Sequence, residues 1–108
     1  MHKRKNKIKL QLCAEDRSML LKMLTAHAEK RMSQRGVSLL DVLCALDYGS
    51  SYASGSCWRM VVGKNEQARA PYDISAHVGV HIVISSERIL TVYKNKHNQK
   101  RRRLRKKN

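Results

Sequence analysis

The segment VGVHIVISSERILTVYK, residues 78–94, has the most regular pattern in this chain of 108 residues. Two runs of β-branched and aliphatic residues flank Ser86 and Glu87, which is typical of a β-hairpin with a two-residue turn. If Ile84 faces Ile89 across that turn, the regular register continues outward in both strands. The cross-strand pairs then predicted are Ile84 with Ile89, Ile82 with Thr91, and Val80 with Tyr93.

Alternation along the two strands predicts one face that packs against helices and one that does not. The helix-facing set is predicted to be Val78, Val80, Ile82, Ile84, Ile89, Thr91 and Tyr93. The opposite set is predicted to be His81, Val83, Leu90 and Val92. This register separates His81 from Tyr93.

The residues before the hairpin predict helices. Apolar residues recur at spacings of three and four between Glu15 and Arg35, and Gly36 supplies a C-terminal stop. Thr25 is an alternative N-cap, in which case the helix starts there and residues 8–13, which alternate in polarity, form a short strand.

A second helix is predicted for LLDVLCALDYG, which follows Ser38 and ends at Gly49. Ser38 is the expected N-cap, and Asp41 lies at the third helical position, as in a capping box. Three segments are predicted between this helix and the hairpin: a loop over residues 50–56, a strand over 57–62 and a loop over 63–76. The expected fold class is α+β, with two N-terminal helices packed on a small antiparallel sheet that ends in a β-hairpin.

The positive charge is concentrated at the two ends of the chain. The formal net charge is +15, and residues 1–10 and 94–108 hold 14 of the 23 Lys and Arg residues without any acid. We therefore expect a single domain over residues 11–94 between a basic N-terminal arm, residues 1–10, and a basic tail, residues 95–108. Such segments are expected to be disordered until a polyanion neutralises them.

This distribution predicts affinity for a phosphate backbone, with RNA as the expected partner and DNA or the ribosome as alternatives. A solubilising or lipid-binding charge run is the competing interpretation. The residues expected to contact nucleic acid are Lys3, Arg4, Lys5, Arg59, Lys94, Lys100, Arg101, Arg102, Arg103 and Arg105.

The sequence lacks the signals that mark several other classes of protein. Charged residues follow Met1 with no apolar stretch, so we expect no membrane segment and a cytoplasmic protein. Cys13, Cys44 and Cys57 are odd in number and lack metal-ligand spacing, which predicts reduced, mostly buried thiols and no metal. No nucleotide-binding motif is present, and no cofactor is expected. The lone Trp58 is expected in the core.

A line of polar residues carries the candidate chemistry. His27, Arg31 and Arg35 recur every four residues, and on one continuous helix they would extend the inward apolar stripe. A half-buried guanidinium needs an acid, a carbonyl or a ligand phosphate. The alternatives are that Arg31 and Arg35 pair with Asp41 or Asp47, and that His27 is a core histidine.

The motif HAEKRMSQRGVS, the helix that ends in YG and the strand LTVY resemble a group of bacterial domains marked by HAxxRxxxRG. The resemblance covers residues 24–95. The group itself resembles RelE/ParE-type toxins and the barnase/EndoU-like ribonuclease superfamily, which implies an α+β fold. It carries over to His27, Ala28, Arg31, Arg35, Gly36, Gly49, Thr91, Val92 and Tyr93. This chain departs from the group in its long segment over residues 63–80 and in its basic ends.

The resemblance implies a metal-independent endoribonuclease in which a 2′-hydroxyl attacks the adjacent phosphate. His27 would then transfer protons, Arg31 would stabilise phosphate charge, and Arg35 would assist. Tyr93 and Thr91 would donate hydrogen bonds from the sheet, and His81 is a rival proton-transfer residue. The resemblance also implies an antitoxin or immunity protein as partner.

Two other functions stay open at this point. One is a noncatalytic protein that binds RNA, DNA or the ribosome, in which the basic ends supply the affinity. The other is a regulatory subunit that uses its helical stripe as a protein interface.

Overall fold

The computed structural model describes residues 7–95, and the predicted α+β architecture is confirmed. Three helices precede the sheet rather than two, and a fourth short helix interrupts it. The elements in chain order are α1 Ala14–Met23, α2 Ala26–Arg35, α3 Leu39–Tyr48, β1 Ser50–Ser54, β2 Cys57–Val61, α4 Lys64–Arg69, a 3-10 turn Ser75–His77, β3 Val80–Ser85 and β4 Arg88–Lys94.

The predicted alternative start at Thr25 is correct, and a continuous helix from Glu15 to Arg35 is wrong. The chain is extended at Leu24, and the Thr25 side chain accepts a hydrogen bond from the Ala28 amide at 3.1 Å. In an uninterrupted helix this amide would donate to a backbone carbonyl. Here the Thr25 hydroxyl accepts from it instead, so Thr25 is the N-cap of a new helix. Gly36 ends α2 in the left-handed conformation with a φ of 65°.

The predicted second helix is confirmed as α3. The Ser38 side chain accepts from the Asp41 amide at 3.1 Å, and the Asp41 carboxylate accepts from the Ser38 amide at 2.9 Å. This reciprocal pair is a capping box, so the backbone donors at the start of α3 are satisfied. Gly49 follows the helix and brings its backbone against Ala45 and Val61.

The four strands form one antiparallel sheet in the order β1-β2-β3-β4. The hairpin turn at Ser86 and Glu87 is confirmed, and both residues have positive φ, as a two-residue turn of type I′ requires. The predicted pair of Ile84 with Ile89 is also confirmed.

The rest of the predicted hairpin register is wrong. A bulge between Val83 and Ile84 leaves Leu90 as an extra residue on β4, so the pairs beyond it shift by one. The observed pairs are Val83 with Thr91, Ile82 with Val92, His81 with Tyr93, and Val80 with Lys94. Because side chains alternate along a strand, the shift places Thr91 and Tyr93 on the same face as His81. Val92, predicted on the opposite face, packs in the core instead.

Two predicted loops contain regular structure. Residues 50–54 form β1 and pair with β2, although their Ser-rich composition is typical of a loop. Lys64–Arg69 forms α4, which follows Gly63. The Glu66 carboxylate accepts from the Gly63 amide at 2.8 Å and from the Ser50 hydroxyl, so it connects α4 to β1. The strand predicted over residues 57–62 is confirmed as β2.

The N-terminal residues that the structure describes pack on the domain. Leu10 is buried, the Ile8 carbonyl accepts from the Asp73 amide at 2.9 Å, and Lys9 forms a single bridge with Asp73. Residues 8–13 therefore do not form the predicted strand. The packed unit therefore includes residues 8–10, which the sequence assigned to the N-terminal arm, residues 1–10.

The core lies between the helices and one face of the sheet. Helix α3 packs on β2 and β3 and supplies the opposing apolar surface, and α2 packs against β4. The fully buried large side chains are Leu20, Val42, Val62, Ile74, Val80, Ile82, Ile89 and Val92.

A buried ionic cluster joins the end of the sheet to α3. The Asp41 carboxylate lies 2.6 Å from His77 Nδ1 and 3.3 Å from Lys94 Nζ. Burial alone would raise the pKa of Asp41, but hydrogen bonds from His77 and the Ser38 amide, together with the Lys94 charge, hold that pKa below its usual value. The side chain that caps α3 therefore also holds the last residue of β4.

Gly49→Ala should destabilise the fold because a Cβ would lie 2.5 Å from the Ala45 carbonyl oxygen and 3.1 Å from that of Val61. We expect a loss of about 2 kcal/mol in the free energy of unfolding, measured by urea denaturation. Gly36→Asn is the control, because a Cβ there has nothing within 4 Å and Asn tolerates positive φ. Equal losses in the two variants would contradict the close-contact explanation.

Asp41→Asn should lower the melting temperature most at neutral pH, because it removes the carboxylate that the half-buried Lys94 and the buried His77 share. The loss there is expected to be about 3 kcal/mol. Because folding lowers the pKa of Asp41, its contribution is complete above the usual value of 3.8 and is lost as the pH falls through the lower folded value. The gap between wild type and variant should therefore narrow below pH 3.8 in thermal melts, and a constant gap would contradict this account.

Candidate nucleic-acid interface

The outer face of the sheet is the face opposite the apolar core, and the register of all four strands defines it. It carries Ser50, Tyr52 and Ser54 from β1, Cys57, Arg59 and Val61 from β2, His81, Val83 and Ser85 from β3, and Thr91 and Tyr93 from β4. Charged, aromatic and hydroxyl side chains thus share one surface, and most of them are half-buried or exposed.

Tyr93 is the centre of the contacts on this face. Its ring stacks on the imidazole of His81, with 4.5 Å between ring centroids and 10° between the ring planes. Its hydroxyl oxygen accepts a hydrogen bond from the Arg59 guanidinium at 2.6 Å. Three neighbouring strands therefore fix the position of this phenol.

Helix α2 lies along the free edge of β4 and adds a second guanidinium. The Thr25 amide donates to the Ile89 carbonyl at 3.1 Å, which fixes the start of the helix against the strand. At the other end, the Arg35 guanidinium donates to the Val92 carbonyl at 3.1 Å and lies 5.9 Å from the centroid of the Tyr93 ring. The helix covers the exposed edge of the sheet and carries Arg35 to the outer face.

His27 and Arg31 form a separate pair on α2. Arg31 Nε donates to His27 Nε2 at 3.3 Å, and another guanidinium nitrogen donates to the Gln34 amide oxygen at 2.9 Å. The prediction that His27 points inward is wrong, because α2 is a short separate helix whose buried residue is Ala28. His27 is exposed, and Arg31 precedes Arg35 by one turn on the same side of the helix.

The guanidinium groups near this surface have no acidic partner among the described residues. Within residues 7–95, no carboxylate lies within 4 Å of Arg31, Arg35 or Arg59. The predicted alternative that Arg31 and Arg35 pair with Asp41 or Asp47 is therefore wrong, and Asp41 binds His77 and Lys94 instead. Three cations held by neutral acceptors keep their charge available to an anion.

The structure divides the other predicted site residues into three groups. Thr91 and His81 lie on the outer face with Tyr93, although the sequence separated His81 from both. Lys94 points to the opposite face and bonds Asp41, so its predicted role in binding nucleic acid is not supported by its position. The remaining predicted contacts, Lys3, Arg4, Lys5, Lys100, Arg101, Arg102, Arg103 and Arg105, lie outside the described residues.

Two features of the site escaped the sequence prediction. Arg59 was expected to contact nucleic acid but not to bond Tyr93, since that contact spans β2 to β4. Tyr52 was assigned to a loop, although it pairs with Arg59 and is 54% exposed. The aromatic residue within the Ser-rich segment was the only signal. Trp58, expected in the core, is also 54% exposed, and it lies on the face opposite Arg59.

Of the three cysteines, only Cys57 lies on a strand of the outer face. Cys44 is buried in α3, and burial raises the pKa of its thiol to about 12. Cys57 is half-buried and Cys13 is exposed, so the prediction of mostly buried thiols holds for Cys44 alone. In the part of the chain that the structure describes, no three His, Cys, Asp or Glu side chains are placed to hold a metal.

This geometry defines the class of the protein. It is an α+β domain with a group of arginines where a helix meets the edge of the sheet. The chain belongs to the family described as "Domain of unknown function (DUF4258)", whose model matches residues 24–94. That match includes α2, α3 and all four strands, and it leaves out α1. No curated protein matches the chain. No solved structure matches it either. No helix within residues 7–95 is long and apolar enough to cross a membrane.

A double-mutant cycle with Tyr93→Phe and Arg59→Met should show that these two residues interact. Each single variant removes one partner of a half-buried hydrogen bond, so we expect a coupling of about 1 kcal/mol in the free energy of unfolding. The phenyl ring of the Phe variant preserves the stack on His81, which isolates the hydroxyl. Strictly additive losses would contradict the contact at 2.6 Å.

Proposed function

We propose that this protein binds RNA at the junction of α2 and the outer face of the sheet, and cleaves it by metal-independent attack of the 2′-hydroxyl on phosphate. RNA phosphates would bind Arg35 and Arg59 on either side of Tyr93, and Arg31 would hold the reacting phosphate beside His27. The basic ends of the sequence would add affinity that is insensitive to base identity.

The observation that carries this proposal is the set of guanidinium groups bonded to neutral oxygen and nitrogen atoms. Arg59 is half-buried, and a charge removed from water is expected to have a compensating partner. Arg59 donates to a phenol, and the exposed Arg35 donates to a backbone carbonyl, so no carboxylate among residues 7–95 neutralises either charge. A phosphate brings the negative charge that these contacts lack, and a guanidinium binds it through two parallel hydrogen bonds.

The proposed reaction needs one group to accept a proton and one to donate. A base removes the proton of the 2′-hydroxyl, the 2′-oxygen forms a bond to phosphorus, and the bond from phosphorus to the 5′-oxygen breaks. The 5′-oxygen takes up a proton from water, which gives a 2′,3′-cyclic phosphate and a free 5′-hydroxyl. Arg31 stabilises the charge on the non-bridging oxygens during the attack.

The hydrogen bond between Arg31 and His27 implies that phosphate binding comes before proton transfer. While Arg31 Nε donates to His27 Nε2, that nitrogen is not available to accept a proton. A phosphate that binds Arg31 draws the guanidinium away and frees His27 Nε2 to act as the base. Substrate binding would therefore activate the imidazole, which is otherwise exposed on α2.

Binding of RNA without turnover is the second candidate, and one observation favours it. Of the two candidate imidazoles, His27 has Nε2 occupied and His81 is only 6% exposed. If phosphate does not displace Arg31, neither histidine reaches a 2′-hydroxyl. The same surface would then hold RNA as a platform, and affinity would depend on Arg35 and Arg59.

Incubation with a short RNA in excess chelator distinguishes the two candidates. We expect the wild type to produce 2′,3′-cyclic phosphate ends, and His27→Ala and Arg31→Ala to reduce the cleavage rate by about 100-fold or more. Lys30→Ala is the matched control, because it removes one charge from an exposed position of the same helix.

Circular dichroism should show that all three variants remain folded. Cleavage that persists at the wild-type rate in both His27→Ala and Arg31→Ala would overturn the catalytic proposal. Binding by the wild type without any cleavage product would select the second candidate.

A further inference from the structure

Tyr52 is an exposed aromatic side chain in the middle of a strand, on the same face as the proposed site. It is 54% exposed, and it is the only aromatic residue of β1. Its neighbours on that face along the strand are Ser50 and Ser54, whose small side chains leave the ring uncovered. A large apolar ring in this position gains little from burial within the domain.

The register places Tyr52 beside the basic part of the outer face. Tyr52 pairs directly with Arg59, which in turn reaches Tyr93 two strands further on. The same cross-strand row continues through Val83 to Thr91. At about 4.8 Å between strands, this row spans about 14 Å from Tyr52 to Thr91. An aromatic ring and a guanidinium with no carboxylate partner among residues 7–95 are therefore adjacent in this row, and a hydroxyl lies beyond Val83 at its far end.

This order of groups fits a nucleic-acid strand whose bases are unpaired. A base that stacks on an aromatic side chain must be free of its own helix, while the neighbouring phosphate needs a cation. A duplex would present its phosphates to Arg59 but would keep its bases stacked inside. Charge alone does not distinguish these two forms, and the ring of Tyr52 does.

We propose that the outer face of the sheet binds single-stranded RNA by stacking one unpaired base on Tyr52 while Arg59 binds the adjacent phosphate. This inference rests on the proposed RNA-binding function and assigns its substrate class. Tyr52 is a specificity residue here, since it contacts a base and not the reacting atoms. It selects single strands over duplexes without selecting a sequence, because every base has a flat face.

Trp58 provides a matched control on the same hairpin. It is 54% exposed, as Tyr52 is, but it pairs with Ala53 and Ile84 on the opposite face of the sheet. Loss of Trp58 removes a comparable exposed aromatic area without changing the outer face. Tyr52→Phe is the second control, because it keeps the ring and removes only the hydroxyl.

The test measures the binding of a fluorescent 12-nucleotide RNA by anisotropy, in single-stranded form and as a perfect duplex. Both carry 2′-O-methyl groups, so that cleavage cannot occur. Tyr52→Ala should weaken single-strand binding by about 5-fold to 100-fold, which corresponds to one stacked base, and should leave duplex binding unchanged. Tyr52→Phe and Trp58→Ala should bind both forms as the wild type does.

Three results would overturn the proposal: equal loss of single-strand and duplex binding in Tyr52→Ala, no loss of either, or an equal single-strand defect in Trp58→Ala. Because the RNA cannot be cleaved, the outcome is separate from the cleavage assay. A protein that shows Tyr52-dependent binding but no cyclic phosphate product would retain this inference and lose the catalytic one. A wild type that binds neither RNA would refute both.

Discussion

The register between β3 and β4 is the constraint on which the core and the candidate site both depend. The bulge at Leu90 allows Val92 to pack beside Ile82 in the core while Tyr93 stacks on His81 outside it. A regular hairpin would bury the phenol and expose the valine. Burial of aliphatic side chains on one face therefore selects the register, and the position of Tyr93 is a consequence of that selection.

The helices stabilise this register from two directions. Asp41 caps α3 and binds Lys94, so the last residue of β4 is held on the core side. Helix α2 bonds the edge of β4 through Thr25 at one end and Arg35 at the other. The same contacts that hold the sheet therefore bring a guanidinium to Tyr93, and the candidate site lies where the helical layer meets the edge of the sheet.

Local signals in the sequence predicted the elements that depend on local bonds. Ser38 and Asp41 satisfy their own helix terminus, Gly36 takes a backbone conformation that suits a glycine, and Ser86 with Glu87 closes the tightest kind of turn. Strand β1 and helix α4 escaped prediction for the opposite reason. The Ser-rich β1 is ordered by pairing with β2, and α4 is connected to it by Glu66, so both depend on residues distant in sequence.

The sequence was sufficient to predict the α+β class, the capped helix α3, the hairpin turn and the positive charge at the ends, because each follows from composition or from neighbours along the chain. It also named His27, Arg31, Arg35, Thr91, Tyr93, His81 and Arg59. Which of these residues meet depends on how the strands and helices pack together. A single extra residue in a strand reverses every side chain beyond it, and nothing local to Leu90 reveals that reversal, since its energy comes from core packing across the whole sheet.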